Sequence, residues 1–335
     1  MSGQTARRWY FNKRPKEMIE DDTLVLREEP LPELEDGQFL FRTLYLSLDA
    51  TNRVWLSDWD IYMEPVRLGE PMRGFVFGEI VESKNPDFPV GAHAAGLHSW
   101  SDYIVTDGAG FSVFPSLDGI DLAEAFAVLS VAGPTAYVGL HDIGKLKTGD
   151  TVVVSGAAGA VGTMVGQIAK NEGCTVIGIA GNNEKCAMLT NDLGFDGAIN
   201  YKNENVTERL GALCPEGIDL CFENVGGEIL DASLTHMKDF GHVVICGLIS
   251  SYNSDEPIPG PYMFRNLIMR RLTVRGFVIL DHEDRFPEAM AALAGWLAEG
   301  KLTMPLHIVE GLEAAPKALN LLYTGGNTGK LLVKI

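Results

Sequence analysis

Short apolar runs separated by turn residues dominate the first part of the chain, up to about residue 120, and predict a β-rich domain. The strand candidates are Arg8–Phe11, Leu24–Leu26, Gln38–Leu46, Gly78–Glu82 and Tyr103–Thr106. Turn signals such as Asp36-Gly37 and Asn85-Pro86 lie between them. Many short strands at this spacing predict a compact, barrel-like domain.

From Leu122 the apolar pattern becomes helical, and from Thr151 strand patterns alternate with helical ones. The predicted strands are 151–155, 175–180, 197–200, 218–222, 242–246 and 272–278, with helices near 162–172, 183–193, 205–213, 227–237 and 262–270. This alternation is typical of a doubly wound parallel sheet, so the fold class is α/β.

A short tail closes the chain, with a helix at 286–299, a strand at 307–309, a helix at 312–323 and a final strand at 330–335. Because it follows a β-block and an α/β-block, we expect it to return to the first domain. The expected domains are residues 1–121 with 301–335, and residues 122–300.

One stretch organises the second domain. The β-branched run Val152–Val154 precedes a glycine-rich turn, in which Ala157-x-Gly159-x-x-Gly162 stands in place of the usual Gly-x-Gly-x-x-Gly, and a helical pattern follows up to Lys170. Strand, glycine-rich turn and helix form the first crossover of a dinucleotide-binding fold, where pyrophosphate lies on free N–H groups of a helix N-terminus.

Composition narrows the function further. At 335 residues the chain is long enough for two domains, and its net charge of −18 disfavours nucleic acid and anionic lipid as partners. The five cysteines are odd in number and form no Cys-x-x-Cys pair, which suggests reduced thiols in the cytoplasm. No apolar run looks long enough for a membrane span, and the basic N-terminal segment lacks the apolar core of a secretory signal.

The residues after the second Rossmann strand bear on the choice of dinucleotide. NAD enzymes usually place Asp or Glu there to bind the ribose 2′-hydroxyl. This chain reads Gly181-Asn-Asn-Glu-Lys185, so the position is neutral and a lysine follows. The pattern favours NADPH, although Lys185 can also be read as a solvated helix residue.

Other chemistries find little support. No cysteine precedes Cys174, and His93 and His98 are interpreted as ordinary loop or core histidines in a glycine-flanked turn, so no zinc site is predicted. Ser155 lacks the preceding glycine of a nucleophile elbow, which argues against hydrolysis. The loops Glu223–Gly227 and Cys246–Asn253 begin at the carboxyl ends of predicted parallel strands, where ligands of such sheets bind. Tyr252 in the second loop is interpreted either as a donor to a substrate oxygen or as an aromatic that packs its loop.

With these residues in view, the chain resembles the zinc-free branch of the medium-chain dehydrogenase/reductase superfamily. That branch contains the leukotriene dehydrogenase/prostaglandin reductases, alkenal double-bond reductases and curcumin-reductase-like enzymes. The resemblance covers nearly the whole chain. Its marks are Arg42–Asp49, Gly133-Pro-Thr-Ala-Tyr137, Ala157–Lys170, Glu184-Lys185-Cys186, Leu193–Asp196, Asn200-Tyr201-Lys202, Asn224–Glu228, Cys246-Gly247 with Ile249-Ser250 and Tyr252-Asn253, and Gly325–Lys330.

The resemblance implies a Rossmann NADPH-binding domain beside a GroES-like domain, in a homodimer. Gly159, Ala160, Val161 and Gly162 would bind pyrophosphate, and Lys185 and Tyr201 would hold the 2′-phosphate. The rest of the NADP(H) site would be formed by Asn224, Cys246, Gly247, Ile249, Ser250, Phe277, Val278, Ile279 and Asn327. Tyr252 would lie near the substrate carbonyl, and Tyr62 matches a first-domain tyrosine that faces the same pocket.

The sequence departs from the family pattern at Asp49-Ala-Thr-Asn-Arg53, where relatives usually read Asp-Pro-Tyr-Met-Arg, so the pocket wall is expected to differ. The implied function is NADPH-dependent reduction of the C=C bond of an enone or enal, with Tyr252 and Tyr62 as catalytic candidates. A zinc-free quinone reductase is the alternative enzyme, and a non-catalytic NADPH-binding sensor is the alternative of another class.

Overall fold

The chain divides into two units, one formed by Met1–Gly119 with Leu306–Ile335 and the other by Ile120–Pro305. The structure is a computed structural model that describes residues 4–115, 117, 119–254, 256, 258 and 260–335. Each unit has its own sheet, as the two sequence patterns predict.

The elements of the first unit up to residue 119 are β1 (Thr5–Phe11), β2 (Leu24–Pro30), β3 (Phe39–Ser47), α1 (Thr51–Val54), β4 (Arg73–Ser83), β5 (His93–Ser99), β6 (Tyr103–Thr106) and β7 (Phe111–Val113). The second unit contains α2 (Leu122–Leu129), α3 (Ala132–Val138), β8 (Thr151–Ser155), α4 (Ala160–Asn171), β9 (Thr175–Ala180), α5 (Asn183–Asn191), β10 (Gly197–Asn200), α6 (Val206–Leu213), β11 (Ile218–Glu223), α7 (Gly227–His236), β12 (Met237–Ile245), α8 (Asn266–Met269), β13 (Thr273–Gly276) and α9 (Phe286–Ala298). The first unit then resumes with β14 (Leu306–Glu310), α10 (Ala315–Leu319), α11 (Leu321–Thr324) and β15 (Lys330–Lys334).

The sheet of the second unit is parallel, and its described strands follow the order β10-β9-β8-β11-β12-β13. Val152, Val153 and Val154 in its centre are fully buried, as expected for a parallel sheet covered on both faces. The strand order reverses between β8 and β11. Ligands of such sheets bind outside the carboxyl ends of the strands at this reversal.

The sheet of the first unit is mixed, and its described strands follow the order β14-β15-β3-β4-β5-β7, with β6 also pairing with β3. β15 pairs antiparallel with β3, so the C-terminal segment completes this sheet. A separate pair, β1 and β2, joins it through isolated bridges such as Arg8 to Ser101. The predicted fold class, a β-rich unit and a unit with a Rossmann-type parallel sheet, is confirmed.

The prediction that His93 and His98 lie in a turn is wrong, because both belong to β5, which pairs with β4 along its length. The glycines and alanines around them resemble a turn in sequence, yet they are needed where strands pack closely. The His93 ring stacks on Phe77, with centroids 5.4 Å apart. Burial lowers the pKa of His98 to about 4, so this ring is an uncharged part of the core.

The expectation that no apolar stretch reaches membrane length is also wrong by length and composition alone, because Leu122–Ile143 qualifies. However, 78% of that window is buried inside the protein. The stretch comprises α2, α3 and a π-helical turn at Gly139–Ile143, and α3 packs against α4 and α9. These helices therefore belong to the core of the second unit.

Several predicted elements differ in extent; for example, β12 begins at Met237 rather than at 242. The helix expected at 262–270 is limited to Asn266–Met269, and the strand expected at 272–278 to Thr273–Gly276. The helix expected at 312–323 is broken into a 3-10 turn and two short helices, with Pro316 in the first turn of α10. Proline lacks the N–H that a continuous helix requires.

Candidate functional site

The turn after β8 presents a helix N-terminus to a ligand. Gly156 has a φ of 57°, and a Cβ on Gly162 would lie 2.4 Å from the Gly156 carbonyl oxygen, so the turn closes only around glycine. Gly159, the N-cap of the twelve-residue α4, supplies no side-chain cap. The N–H groups of Ala160, Val161 and Gly162 have no acceptor within the helix, which fits a pyrophosphate.

A second polar cluster lies at the carboxyl ends of β9 and β10. Asn182 caps α5 by accepting the Lys185 backbone N–H at 2.7 Å. The Tyr201 ring lies against Gly181, where a Cβ would be 3.2 Å from the ring carbon Cε1. Burial, and then the charge of Lys202, lowers the pKa of Lys185. A lysine whose charge is disfavoured by a neighbouring lysine is suited to bind a phosphate, because the anion would stabilise that charge.

A cavity opens beside this cluster and is lined by Gly181, Asn182, Asn183, Glu184, Asn200, Lys202 and Asn203. No carboxylate ends β9, since Ala180 is followed by glycine and asparagine. The exposed Glu184 and the exposed Lys202 both line the cavity, so one carboxylate and one lysine face it. Lys202 was not predicted as a site residue, although it directly follows the predicted Tyr201.

Hydrogen bonds join the loops after β11 and β12. Cys246 and Gly247 donate their N–H groups to the Glu223 carbonyl oxygen at 2.9 and 3.1 Å. Ile249 donates to the Asn224 carbonyl oxygen at 3.1 Å. The Ser250 hydroxyl donates to the Val225 carbonyl oxygen at 2.6 Å. These bonds bring five predicted cofactor residues together at one edge of the sheet, namely Asn224, Cys246, Gly247, Ile249 and Ser250.

Tyr252 and Phe277 lie at the same edge. The Tyr252 hydroxyl accepts the Leu248 N–H at 3.0 Å, which fixes the position of the phenol in this loop. Phe277 begins the 277–279 segment, and its N–H donates to the Ile245 carbonyl oxygen at 3.4 Å. Its ring meets Phe222 edge to face, with centroids 6.5 Å apart. Val278 and Ile279 follow directly.

One fully buried carboxyl group at this edge was not predicted as a site residue. Glu223, the last residue of β11, is fully buried, and its Oε1 accepts the Ser155 hydroxyl at 2.7 Å. Burial raises the pKa of Glu223, and the groups that donate to it act in the opposite direction. A carboxylate directly after the apolar Leu220-Cys-Phe was the available sequence signal.

Two predicted residues belong to the first unit. The Tyr62 hydroxyl accepts Trp55 Nε1–H at 3.0 Å and shares a short hydrogen bond with the Thr51 hydroxyl. Tyr62 is 48% exposed, whereas Trp55 is buried. Asn327 is buried, and its Nδ2 donates to the Gly329 carbonyl oxygen at 3.1 Å.

Metal ligation and disulfide bonding receive no support from the described residues. They contain no group of three or more His, Cys, Asp or Glu side chains arranged to hold a metal ion. All five cysteines, at 174, 186, 214, 221 and 246, are free thiols. Burial raises the pKa of Cys214 to about 11 and of Cys246 to about 12, so these thiols are unreactive at neutral pH.

Comparison with known proteins agrees with this arrangement. Residues 7–114 match the family model described as the N-terminal domain of oxidoreductase, and residues 160–295 match the one described as zinc-binding dehydrogenase. The chain is 37% identical to the NADPH-dependent curcumin reductase of Escherichia coli (strain K12), over 99% of this chain and 97% of that protein. It is 38% identical to prostaglandin reductase 1 of Rattus norvegicus, over 98% and 99% of the two chains.

Structural comparison gives the same result. The crystal structure of CurA from Vibrio vulnificus in complex with NADPH matches with a TM-score of 0.91 and 38% identity, over 98% of each chain. The chain therefore belongs to the zinc-free branch of the medium-chain dehydrogenase/reductase superfamily that includes curcumin reductase and prostaglandin reductase 1, and it is an oxidoreductase.

Proposed function

We propose that this enzyme uses NADPH to reduce the carbon–carbon double bond of α,β-unsaturated ketones and aldehydes. The observation that carries the proposal is the carboxyl edge of the β8–β13 sheet, which holds the glycine turn, the two-lysine cluster and the Tyr252 loop. Relatives named as reductases of curcumin and prostaglandins support the substrate class. Curcumin itself is an α,β-unsaturated diketone.

The 2′-phosphate of NADPH is assigned to Lys185, Tyr201 and Lys202. A phosphate there relieves the repulsion between the two lysines and is met by no carboxylate at the end of β9. The pyrophosphate is assigned to the turn Gly159–Gly162 at the start of α4. The rest of the cofactor is assigned to the remaining predicted residues, namely Asn224, Cys246, Gly247, Ile249, Ser250, Phe277, Val278, Ile279 and Asn327.

When bound, NADPH supplies a hydride to the β-carbon of the substrate. The protein's task is then to stabilise the negative charge that develops on the carbonyl oxygen. A single well-placed donor contributes about 3 kcal/mol to such a step. We assign this donor to the Tyr252 hydroxyl, whose orientation is set by the Leu248 N–H.

Tyr62 is the second candidate donor. The Thr51 and Tyr62 hydroxyls carry two protons, and their mutual hydrogen bond uses one of them. Trp55 also donates into Tyr62, so the pair retains one proton for an outside acceptor. A carbonyl oxygen is the acceptor that this arrangement suits.

The test is the decay of NADPH absorbance with an alkenal, an aryl enone, curcumin, a 15-oxoprostaglandin and a quinone, with NADH as the cofactor control. Turnover of an enone or enal with NADPH preferred supports the proposal. Turnover of the quinone alone would establish the quinone reductase instead. NADPH binding without turnover of any compound would favour the non-catalytic sensor.

We also propose that the enzyme is a homodimer joined along β13. Within the described residues β13 pairs on one side with β12, and all four of its residues are exposed. Exposed apolar side chains occur on the preceding strand and in the segment that leads to β13, namely Phe240 at 66%, Tyr262 at 78% and Ile268 at 73%. An open edge strand in a region with exposed apolar side chains favours association, and two copies can pair antiparallel across a two-fold axis.

Light scattering on a sizing column tests this assembly. Val274→Lys on β13 is expected to give a monomer, and Ile308→Lys on β14 is the matched control because the two side chains are 41% and 40% exposed. A dimeric Val274→Lys variant would refute the β13 interface. A monomeric wild type would refute the dimer itself.

We propose a cytoplasmic location because all five cysteines are free thiols. The five free cysteines include the partly exposed Cys186, a state that a reducing compartment preserves. Fractionation of cells that express the tagged chain would test this location.

A further inference from the structure

A buried hydrogen-bond network joins the carboxyl ends of β8 and β11. β8 ends at Ser155 and β11 at Glu223, and the strands are neighbours with Val154 opposite Phe222. This is the point where the strand order reverses. A dinucleotide bound at this edge would therefore lie over the Ser155–Glu223 contact.

The direction of each bond in the network is fixed. The Asn224 N–H donates to Ser155 Oγ at 2.8 Å, so the Ser155 hydroxyl donates to Glu223 Oε1 at 2.7 Å. The N–H groups of Val225 and Gly226 donate to the same Oε1 at 2.6 and 2.7 Å. The Asn224 amide Nδ2 adds a bond to the Ser155 carbonyl oxygen at 2.8 Å. Glu223 Oε1 thus accepts three hydrogen bonds and carries no proton.

The other carboxyl oxygen, Glu223 Oε2, is buried and has no hydrogen-bond partner among the described residues. No salt bridge found among those residues involves Glu223. A fully buried carboxylate without a cation is costly, whereas a carboxylic acid with its proton on Oε2 leaves all three donors to Oε1 in place. Burial raises the pKa of Glu223, in agreement with the acid form.

We propose that Glu223, in its uncharged acid form, is a positioning residue for the dinucleotide. It joins the end of β8 to the loop after β11 and thereby holds in place the glycine-rich turn that would bind the pyrophosphate. The inference rests on the proposed NADPH site and adds to it a residue that touches neither phosphate nor nicotinamide.

The hydrogen bonds of Glu223 with Ser155, Val225 and Gly226 are called the brace from here on, and two features connect this brace to the cofactor. Gly156, the first residue of the turn, packs on the braced loop, since a Cβ there would lie 3.5 Å from Asn224 Cβ and from Val225 Cγ2. An uncharged Glu223 also adds no negative charge beneath a pyrophosphate. Loss of the brace would leave the N–H groups of Val225 and Gly226 unpaired and would let the loop and the turn separate.

The experiment compares Glu223→Gln, Glu223→Ala and Ser155→Ala by calorimetric titration with NADPH and with adenosine 2′-monophosphate. Glutamine keeps the accepting carbonyl and places an amide where the acid holds its hydroxyl, so Glu223→Gln is expected to bind NADPH within about threefold of wild type. Glu223→Ala is expected to weaken NADPH binding by about tenfold or more, and Ser155→Ala by less.

Adenosine 2′-monophosphate separates positioning from general damage. It lacks the pyrophosphate, so its dissociation constant is expected to be unchanged in all three variants. Glu228→Gln, which alters an exposed glutamate at the start of α7, is the matched control and should bind both ligands as wild type does.

Each outcome decides the inference. If Glu223→Ala and Ser155→Ala bind NADPH as wild type does, Glu223 positions nothing. If Glu223→Gln is as weak as Glu223→Ala, the charged form is the active one and the proposed acid form is wrong. If Glu223→Ala does not fold, Ser155→Ala and Glu223→Gln still decide between these results. Wild type that fails to bind NADPH would overturn the proposed function and this inference together, whereas normal wild-type binding isolates the inference.

Discussion

Cofactor selectivity is expected to depend on Lys185, and Lys185→Ala should weaken NADPH while sparing NADH. A hydrogen bond to a charged group contributes about 1.5–3 kcal/mol, which corresponds to about 10- to 150-fold in affinity. The half-buried Lys185 belongs in this range because its environment screens charge less than bulk water does. Lys202 is exposed, so Lys202→Ala should cost under about 1 kcal/mol, or less than fivefold.

The assay measures the Michaelis constants for NADPH and NADH with one saturating enone. Lys147→Ala, an exposed lysine in the same unit, changes the net charge equally and is expected to alter neither constant. The double variant of Lys185 and Lys202 should lose more for NADPH than either single variant. An equal rise of both Michaelis constants in Lys185→Ala would remove this residue from the phosphate site.

The pH dependence follows from the same residue. Burial and the charge of Lys202 lower the pKa of Lys185, and only the protonated amine attracts the 2′-phosphate. NADPH affinity should therefore be highest between the second pKa of the 2′-phosphate, about 6, and the pKa of Lys185. It should fall as the pH rises through the Lys185 pKa, at a lower pH than for an ordinary lysine. NADH affinity should lack this fall, and so should NADPH affinity in Lys185→Ala. A fall that survives in the variant would show that another group titrates.

Three further predictions concern the second unit. Gly166→Ala should lower the free energy of unfolding by about 1–3 kcal/mol, because the new Cβ would lie 1.8 Å from Phe195 Cζ. Gly295→Ala is the control, since its new Cβ would have nothing within 4 Å, and it should not lower the melting temperature. An equal fall in melting temperature in the two variants would contradict this reasoning. Tyr252→Phe should reduce kcat for enones about 100-fold without changing the dissociation constant of NADPH, and an unchanged kcat would exclude it as the donor. Burial raises the pKa of the Cys246 thiol to about 12, so this thiol should resist alkylation at neutral pH until the protein unfolds. Rapid alkylation of Cys246 in the native protein, detected by mass spectrometry, would contradict the burial of the thiol.

The sequence predicts the Rossmann-type unit well because its strands are long apolar runs between glycine turns. β8, β9 and β10 have the expected limits, 151–155, 175–180 and 197–200. β5 escaped prediction because alanine and glycine have low strand propensity, and pairing with β4 overrides that preference. Local patterns thus identify buried parallel strands more reliably than strands held by their neighbours.

The residues of the candidate site could be predicted only in part from the sequence. Lys185 and Tyr201 come from motifs, and the structure places them with Lys202 at one corner of the sheet. Glu223 gave a weaker signal, because a single carboxylate at a strand end reads as the start of a polar loop. Its importance depends on the Ser155 hydroxyl, 68 residues earlier, which only the parallel pairing of β8 and β11 brings to it.

Two of the residues that the departure from the family pattern at residues 49–53 introduces, Thr51 and Asn52, make different contacts. The buried Asn52 accepts the Asp49 N–H at 2.8 Å, and the Arg53 guanidinium donates to the Glu17 carbonyl oxygen at 3.0 Å, so these residues hold the local backbone. Thr51 instead shares its hydroxyl with Tyr62, a half-exposed phenol. The family pattern expects a tyrosine at this position, whereas this chain has the small Thr51, and the Tyr62 side chain beside it is 48% exposed. A difference in substrate preference from those relatives is therefore expected to follow Thr51, because it changes both the space and the donor at that wall.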